Sequence, residues 1–187
     1  MKRGRGGSVT GGTGDIKPQI LTMVSGTSTA GQYNVIQQNL PVPRFGTMKT
    51  KATVFEILSL EWYPQLSDIA DPDSVYFGYF ATQQLRSTGD TTTGATVGTD
   101  VADPVTFGAF AVQKDFTTSG ATVLYYPVSL DLTDGNGNGI LIATDRLFLH
   151  TANIGASTQG TTTVKVKYRL VNIGINEYVG IVQSQQG

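Results

Sequence analysis

The chain has 187 residues, no cysteine and only 14% charged side chains, well short of the ~25% of average soluble chains. This composition excludes disulfides, thiolate catalysis and cysteine-ligated zinc, and leaves the surface to Thr, Ser, Gln and Asn or to contacts with other copies. A formal charge of −1 hides a layout that runs positive, negative, positive: residues 1–51 carry seven basic residues and one acid, 52–145 two and twelve, 146–187 four and one. If both ends meet on one side, the domain has a cationic and an anionic face, which suits a container or adaptor for a polyanion more than a catalyst. No apolar run approaches the ~18 residues of a membrane span, and the polar N-terminus lacks the apolar stretch of a signal peptide. The sequence therefore predicts no membrane partner.

Residues 1–14, MKRGRGGSVTGGTG, are basic and glycine-rich without apolar periodicity, and read as a flexible arm. Residues 15–187 read as one domain with a C-terminal tail. Strands are expected at Ile16–Val24, at Tyr33–Leu40 before the Pro41-Val42-Pro43 stop, and over Lys51–Tyr63 up to Pro64. Asp68–Ser74 carries the Asp-Pro-Asp signature of a turn. Val75–Leu85 is the next strand, with an internal glycine that marks a bulge or a close approach. Residues 86–104 form the longest expected loop, rich in Thr, Gly and Asp, whose length favours an exposed functional role. Strands resume at Val105–Gln113, Thr122–Leu132 and Gly139–Thr151. After a second polar loop, Ala152–Thr161, the last long strand covers Thr162–Ile175. About eight strands and no convincing amphipathic helix define an all-β antiparallel sandwich, and long strands with long loops favour a jelly roll.

In the last strand Lys165, Lys167 and Arg169 alternate with Val164, Val166, Tyr168 and Leu170, so the cations share one sheet face. Lys49 and Lys51 show the same alternation. With Lys2, Arg3 and Arg5 of the arm they form the candidate phosphate-binding set, against the plainer reading of a solvated strand face. The loop Asp134-Gly135-Asn136-Gly137-Asn138-Gly139, with Asp145 at the twelfth position, fits a calcium loop except for that final Asp. Its strand-like flanks fit a Gly/Asn hairpin better. Calcium is thus the one cofactor considered, with Asp134, Asn136, Asn138 and Asp145 as its ligands. No catalytic set emerges: His150 sits in an apolar strand as a core or interface histidine, and Asp68, Asp71 and Asp73 crowd a turn. Paired carboxylates cleave glycosides, but crowded acids beside Pro72 fit caps and solvated charges better.

The segment Tyr168–Gln186, YRLVNIGINEYVGIVQSQQ, resembles the closing segment of capsid proteins from small circular, Rep-encoding single-stranded DNA viruses (circovirus-like). The resemblance implies a non-enzymatic coat protein: a jelly roll whose copies assemble into an icosahedral, T=1 shell around circular single-stranded DNA. It implies a virion location, assembly in the host nucleus or cytoplasm, and an inward-facing arm with Lys2, Arg3 and Arg5 on the genome. The arm departs from the family in being short and poor in arginine. A host receptor or glycan partner is not identified by the sequence. The competing readings are a jelly-roll carbohydrate-binding module, using Trp62 or tyrosines with or without calcium, and a β-sandwich glycosidase near Asp71.

Overall fold

The computed structural model describes residues 17–29, 31–40, 50–66, 74–117, 120–123, 128–154 and 160–185. The arm, Pro41-Val42-Pro43 and the acids Asp68, Asp71 and Asp73 lie outside them. Among the described residues run ten strands and two helices. In chain order these are β1 (Gln19–Val24), β2 (Tyr33–Asn39), β3 (Lys51–Leu66), β4 (Ser74–Ala81), α1 (Gly94–Ala102), β5 (Thr106–Thr117) and β6 (Gly120–Val123). There follow β7 (Val128–Asp131), β8 (Ile140–Ile142), β9 (Arg146–Ile154), β10 (Gly160–Gly174) and α2 (Ile175–Gln185). One antiparallel sheet has the order β1-β10-β3-β7, with β8 also on β3, and the other has β2-β9-β4-β5-β6. The chain crosses between sheets after β1, β2, β3, β6, β8 and β9, which is the expected jelly roll.

Alternation along each strand fills the space between the sheets. Val164, Val166 and Tyr168 of β10 point inward opposite Trp62, Leu60 and Ile57 of β3, while Lys165 and Lys167 stay exposed. Trp62 is fully buried, with its ring centroid 4.3 Å from that of Phe110 and 5.3 Å from that of Phe80. Gly78 is the strand glycine that the sequence marks: a Cβ there would stand 2.7 Å from Phe110 Cε1, and the β4–β5 register slips between Gly78 and Phe80. In the slipped stretch of β5, between Phe107 and Phe110, Gly108 takes a φ of +62°, open to glycine at little strain.

Four expectations are corrected. The run Thr122–Leu132 is not one strand but β6 in one sheet and β7 in the other. The run Gly139–Thr151 divides likewise into β8 and β9, with a corner at Ala143–Asp145; apolar runs do not reveal where a strand changes sheets. Pro64 does not end β3, which continues to Leu66 paired with β10. Among the described residues β7 covers β3 only at Ser59–Trp62, so the missing proline N–H removes no bond on that side.

Helices are the fourth correction. Gly94–Ala102, inside the expected loop, is α1, with Thr93 capping it by accepting the Thr96 N–H at 3.3 Å. Its nine residues include two glycines, too weak a sequence to hold a helix alone, so tertiary contacts sustain it. The expected tail is α2, tied by Gln185, whose Nε2 donates to Leu141 O at 2.6 Å and whose Oε1 accepts Ala143 N–H at 3.0 Å. Its apolar spacing, Ile175, Tyr178, Val179 and Val182, is helical and was legible in the sequence.

Candidate functional site

The sequence-selected cations of β10 stand on the solvent face of the β1-β10-β3-β7 sheet, and the register gives them acidic company. Lys165 pairs with Glu61 of β3, and its Nζ lies 5.0 Å from the centre of the Tyr63 ring, whose hydroxyl donates to Glu61 at 2.8 Å. Lys167 pairs with Ser59, which pairs in turn with Asp131 of β7. Hydrogen bonds from Thr133 hold the Asp131 carboxyl below the usual range, and Lys167 adds to the effect. Arg169 faces Glu56, which is 3% exposed, and its Nη2 also donates to Gly137 O at 3.0 Å. Arg169 is therefore a fastener: Glu56 takes the guanidinium and the Gly139 N–H at 2.7 Å, pinning the 134–139 loop to the sheet.

Lys51 is exposed, but it opens β3 opposite Gly174, five register steps (~17 Å) beyond Arg169. Strand alternation also sets it on the Phe55 side, the opposite face from Glu56, so it does not join the β10 row. Lys2, Arg3, Arg5 and Lys49 lie outside the described residues. What the structure brings together is Lys165 and Lys167, tempered by Glu61 and Asp131.

The candidate calcium loop is closed on itself. Asp134 Oδ1 accepts the N–H groups of Asn136 (2.8 Å) and Asn138 (3.1 Å), and Oδ2 accepts Asn138 Nδ2 at 2.9 Å. Gly135 and Gly137 supply the positive φ of this Gly/Asn turn. Asp145 stands instead at the corner between β8 and β9, 83% exposed and 3.7 Å from Arg146 Nε. Among the described residues no three His, Cys, Asp or Glu side chains gather as a metal cluster.

The other sheet carries a feature that sequence reading missed. Asp100 of α1, buried, accepts from Tyr33 OH (2.6 Å), Tyr79 OH (3.0 Å) and Arg86 Nη2 (2.8 Å). Burial pushes its carboxyl up, but hydrogen bonds from Arg86 and the two tyrosines outweigh that and hold it below the usual range. Burial and the bond to this carboxylate raise Tyr33 to about 12. His150, fully buried, stacks on Tyr79 with ring centroids 4.7 Å apart and accepts the Arg86 N–H at Nε2 (3.4 Å). Burial pulls its pKa down to about 4. With its oxygens taken by three donors, Asp100 serves as a latch for the segment 82–105, which covers an aromatic cluster of Tyr33, Phe77 and Tyr79. The lone arginine in a Thr/Gly/Asp-rich stretch was the available signal.

A notch of about 280 Å³ opens where Gln83, Gln84, Thr144, Arg146, Phe148 and Gln185 meet, beside α2. Its lining offers amides, hydroxyls and the Arg146 guanidinium with the Asp145 carboxylate 3.7 Å away, beside the Phe148 ring, which is a polar set able to orient a ligand.

Compared by sequence, the chain matches no family and no curated protein. By structure it is similar to viral capsid subunits. VP1 of the Trichodysplasia spinulosa-associated polyomavirus, solved with GM1 oligosaccharide, superposes with a TM-score of 0.57 at 9% identity, over 86% of this chain and 95% of that one. VP1 of human polyomavirus 12, solved with 3'-sialyllactosamine, gives 0.55 at 12% identity, over 84% and 100%. The Merkel cell polyomavirus virus-like particle gives 0.55 at 10% identity, over 86% and 76%. At these identities the likeness is one of fold, and that fold is the jelly roll of viral capsid proteins.

Proposed function

We propose that this chain is a viral capsid protein whose copies assemble into an icosahedral shell, T=1 in its simplest form, around circular single-stranded DNA. The observation that carries this reading is the jelly-roll connectivity, shared at full domain scale with subunits of polyomavirus particles. The basic arm, the charge-poor surface and the circovirus-like C-terminal segment support it. A surface of Thr, Gln and Asn lowers the desolvation cost of many contacts per copy, and closed symmetry repeats each contact in every copy. Its role is structural, its place the virion, and its assembly occurs in the host nucleus or cytoplasm. Lys165 and Lys167, with Lys2, Arg3, Arg5 and Lys49, meet the phosphates, and Lys51 does so only apart from the β10 row. Negative-stain electron microscopy of the purified chain, with the 260/280 absorbance ratio of its largest species, tests this. Uniform round particles are expected; a monomer unchanged by salt and pH would overturn the reading.

Glycan binding is the second reading, favoured by the notch at Arg146 and Phe148, whose guanidinium suits the carboxylate of an acidic sugar. A calcium-dependent version would require Asp134 to release its three internal donors. A thermal shift with 3'-sialyllactose that vanishes in Arg146→Ala is the expected result; no shift in the parent chain removes this reading.

A further inference from the structure

We propose that the bare edge of β1 is a seam between two copies of this chain, paired antiparallel about Thr22 on a two-fold axis. Among the described residues β1 pairs on one side only, with β10. Its sequence, Gln19-Ile20-Leu21-Thr22-Met23-Val24, contains no charge, proline or glycine. Natural edge strands carry such residues to prevent pairing with another chain. Here the two outward apolar residues are instead bare, with Ile20 68% and Val24 58% exposed. The corresponding edge of the other sheet is closed: Gly89 N–H reaches Tyr33 O at 2.8 Å, Tyr33 N–H reaches Asp90 O at 2.9 Å, and Thr88 Oγ1 accepts Val35 N–H at 3.1 Å.

The occupant follows from the strand's own symmetry. Centred on Thr22, an antiparallel pair sets Ile20 opposite the second copy's Val24, Thr22 opposite Thr22, and Leu21 opposite Met23. Every outward apolar residue then meets a β-branched apolar partner, with a Thr–Thr pair at the axis, and such cross-strand pairs stabilise sheets. Moving the axis along the strand to the next same-face register sets Ile20 or Val24 against Thr22. A slip of one residue would turn the partner's core residues Leu21 and Met23 toward the solvent face. The arm is a poorer occupant, because its glycines disfavour a strand. Six residues span only ~20 Å, so the seam falls short of the ~800 Å² per partner of a stable isolated interface. It holds copies that other contacts already gather, and in this it rests on the shell reading.

The chain has no cysteine, so single cysteines report cleanly. Thr22→Cys, oxidised in the full chain, should give a reducible dimer on a denaturing gel. Ser129→Cys, exposed on the opposite edge strand β7, should give roughly tenfold less. Equal yields from both would overturn the seam. An equal mixture of Ile20→Cys and Val24→Cys chains should cross-link where neither does alone, and cross-linking of each alone would overturn the register. Adding Ile20→Lys and Val24→Lys to Thr22→Cys should abolish the dimer without moving the unfolding midpoint, and an undiminished dimer would count against the proposal. Round particles without a Thr22 cross-link leave the shell and remove the seam; cross-linked pairs without particles keep the seam and remove the shell.

Discussion

The two sheets differ in how their solvent sides are finished. The β2-β9-β4-β5-β6 sheet is roofed: the 82–105 segment lies over Tyr33, Phe77 and Tyr79, Asp100 latches it, and residues 88–90 close the β2 edge. The β1-β10-β3-β7 sheet is open, with a row of lysines tempered by acids and an apolar edge at Ile20 and Val24. Length and polarity made 86–104 look like a displayed loop, and most of its residues are exposed, yet buried Asp100 ties it down through Tyr33, Tyr79 and Arg86.

Removing the latch should have the largest effect. Asp100→Ala leaves Arg86 and two tyrosine hydroxyls without their acceptor, and losing one partner of such a buried pair costs about 3 kcal/mol. Denaturant unfolding of the full chain measures it. A loss within experimental scatter would mean that the roof is held by its apolar contacts alone.

Acid should act on the same side of the molecule. Burial beside Tyr79 and Phe148, with Asp100 and Arg86 the nearest charges, lowers the His150 pKa from 6.5 to about 4. As pH falls the unfolded chain takes up this proton first, so stability is full above pH 6.5 and declines toward pH 4. The loss reaches about 2 kcal/mol by pH 5. Asp100, held below the usual carboxylate range, adds its own loss only at lower pH. Urea midpoints at pH 7 and pH 5 should differ accordingly, and His150→Gln should flatten the difference; an unchanged slope would assign the acid response elsewhere.

The open sheet's fastener should matter less. Glu56→Gln keeps the shape but removes the charge that holds Arg169, and roughly 1–2 kcal/mol is expected, because Arg169 remains partly hydrated. Amide exchange at Gly139, whose N–H rests on Glu56, should quicken in this variant while amides in α1 stay protected. Equal acceleration in both would dissolve the contrast between the sheets.

How much of this was legible follows from periodicity. Strict alternation in Val164–Leu170 gave the face of every residue in the centre of β10, because a period of two has only one burial solution against a core. The same alternation cannot say what lies across the ladder, so Arg169 read as a free cation although Glu56, 113 positions away, takes its charge. The change of sheet between β6 and β7, and that between β8 and β9, fall inside apolar runs whose periodicity does not say which sheet a strand joins. Helix α1 was hidden because Asp100 and Thr93, which make it, are also loop formers. The calcium pattern at Asp134 failed to discriminate for a related reason: Asp and Asn close turns with the same oxygens that would bind a metal.

The smallest stability effect belongs to the lysines, and it is the most informative about function. Lys165 and Lys167 are exposed and stand beside acids, so Lys165→Gln with Lys167→Gln should move stability by less than about 0.5 kcal/mol. If they meet phosphates, the effect appears instead in salt dependence. Each contact to a single strand contributes ~0.7 to the slope of log affinity against log salt, so losing two should flatten it by ~1.4. Fluorescence anisotropy with oligo-dT across a salt series reads this directly. Because Glu61 and Asp131 already compete for the two ammonium groups, Glu61→Gln should steepen the slope in the opposite direction. A slope indifferent to all three changes would move nucleic-acid contact to the arm and leave this sheet face to subunit contacts.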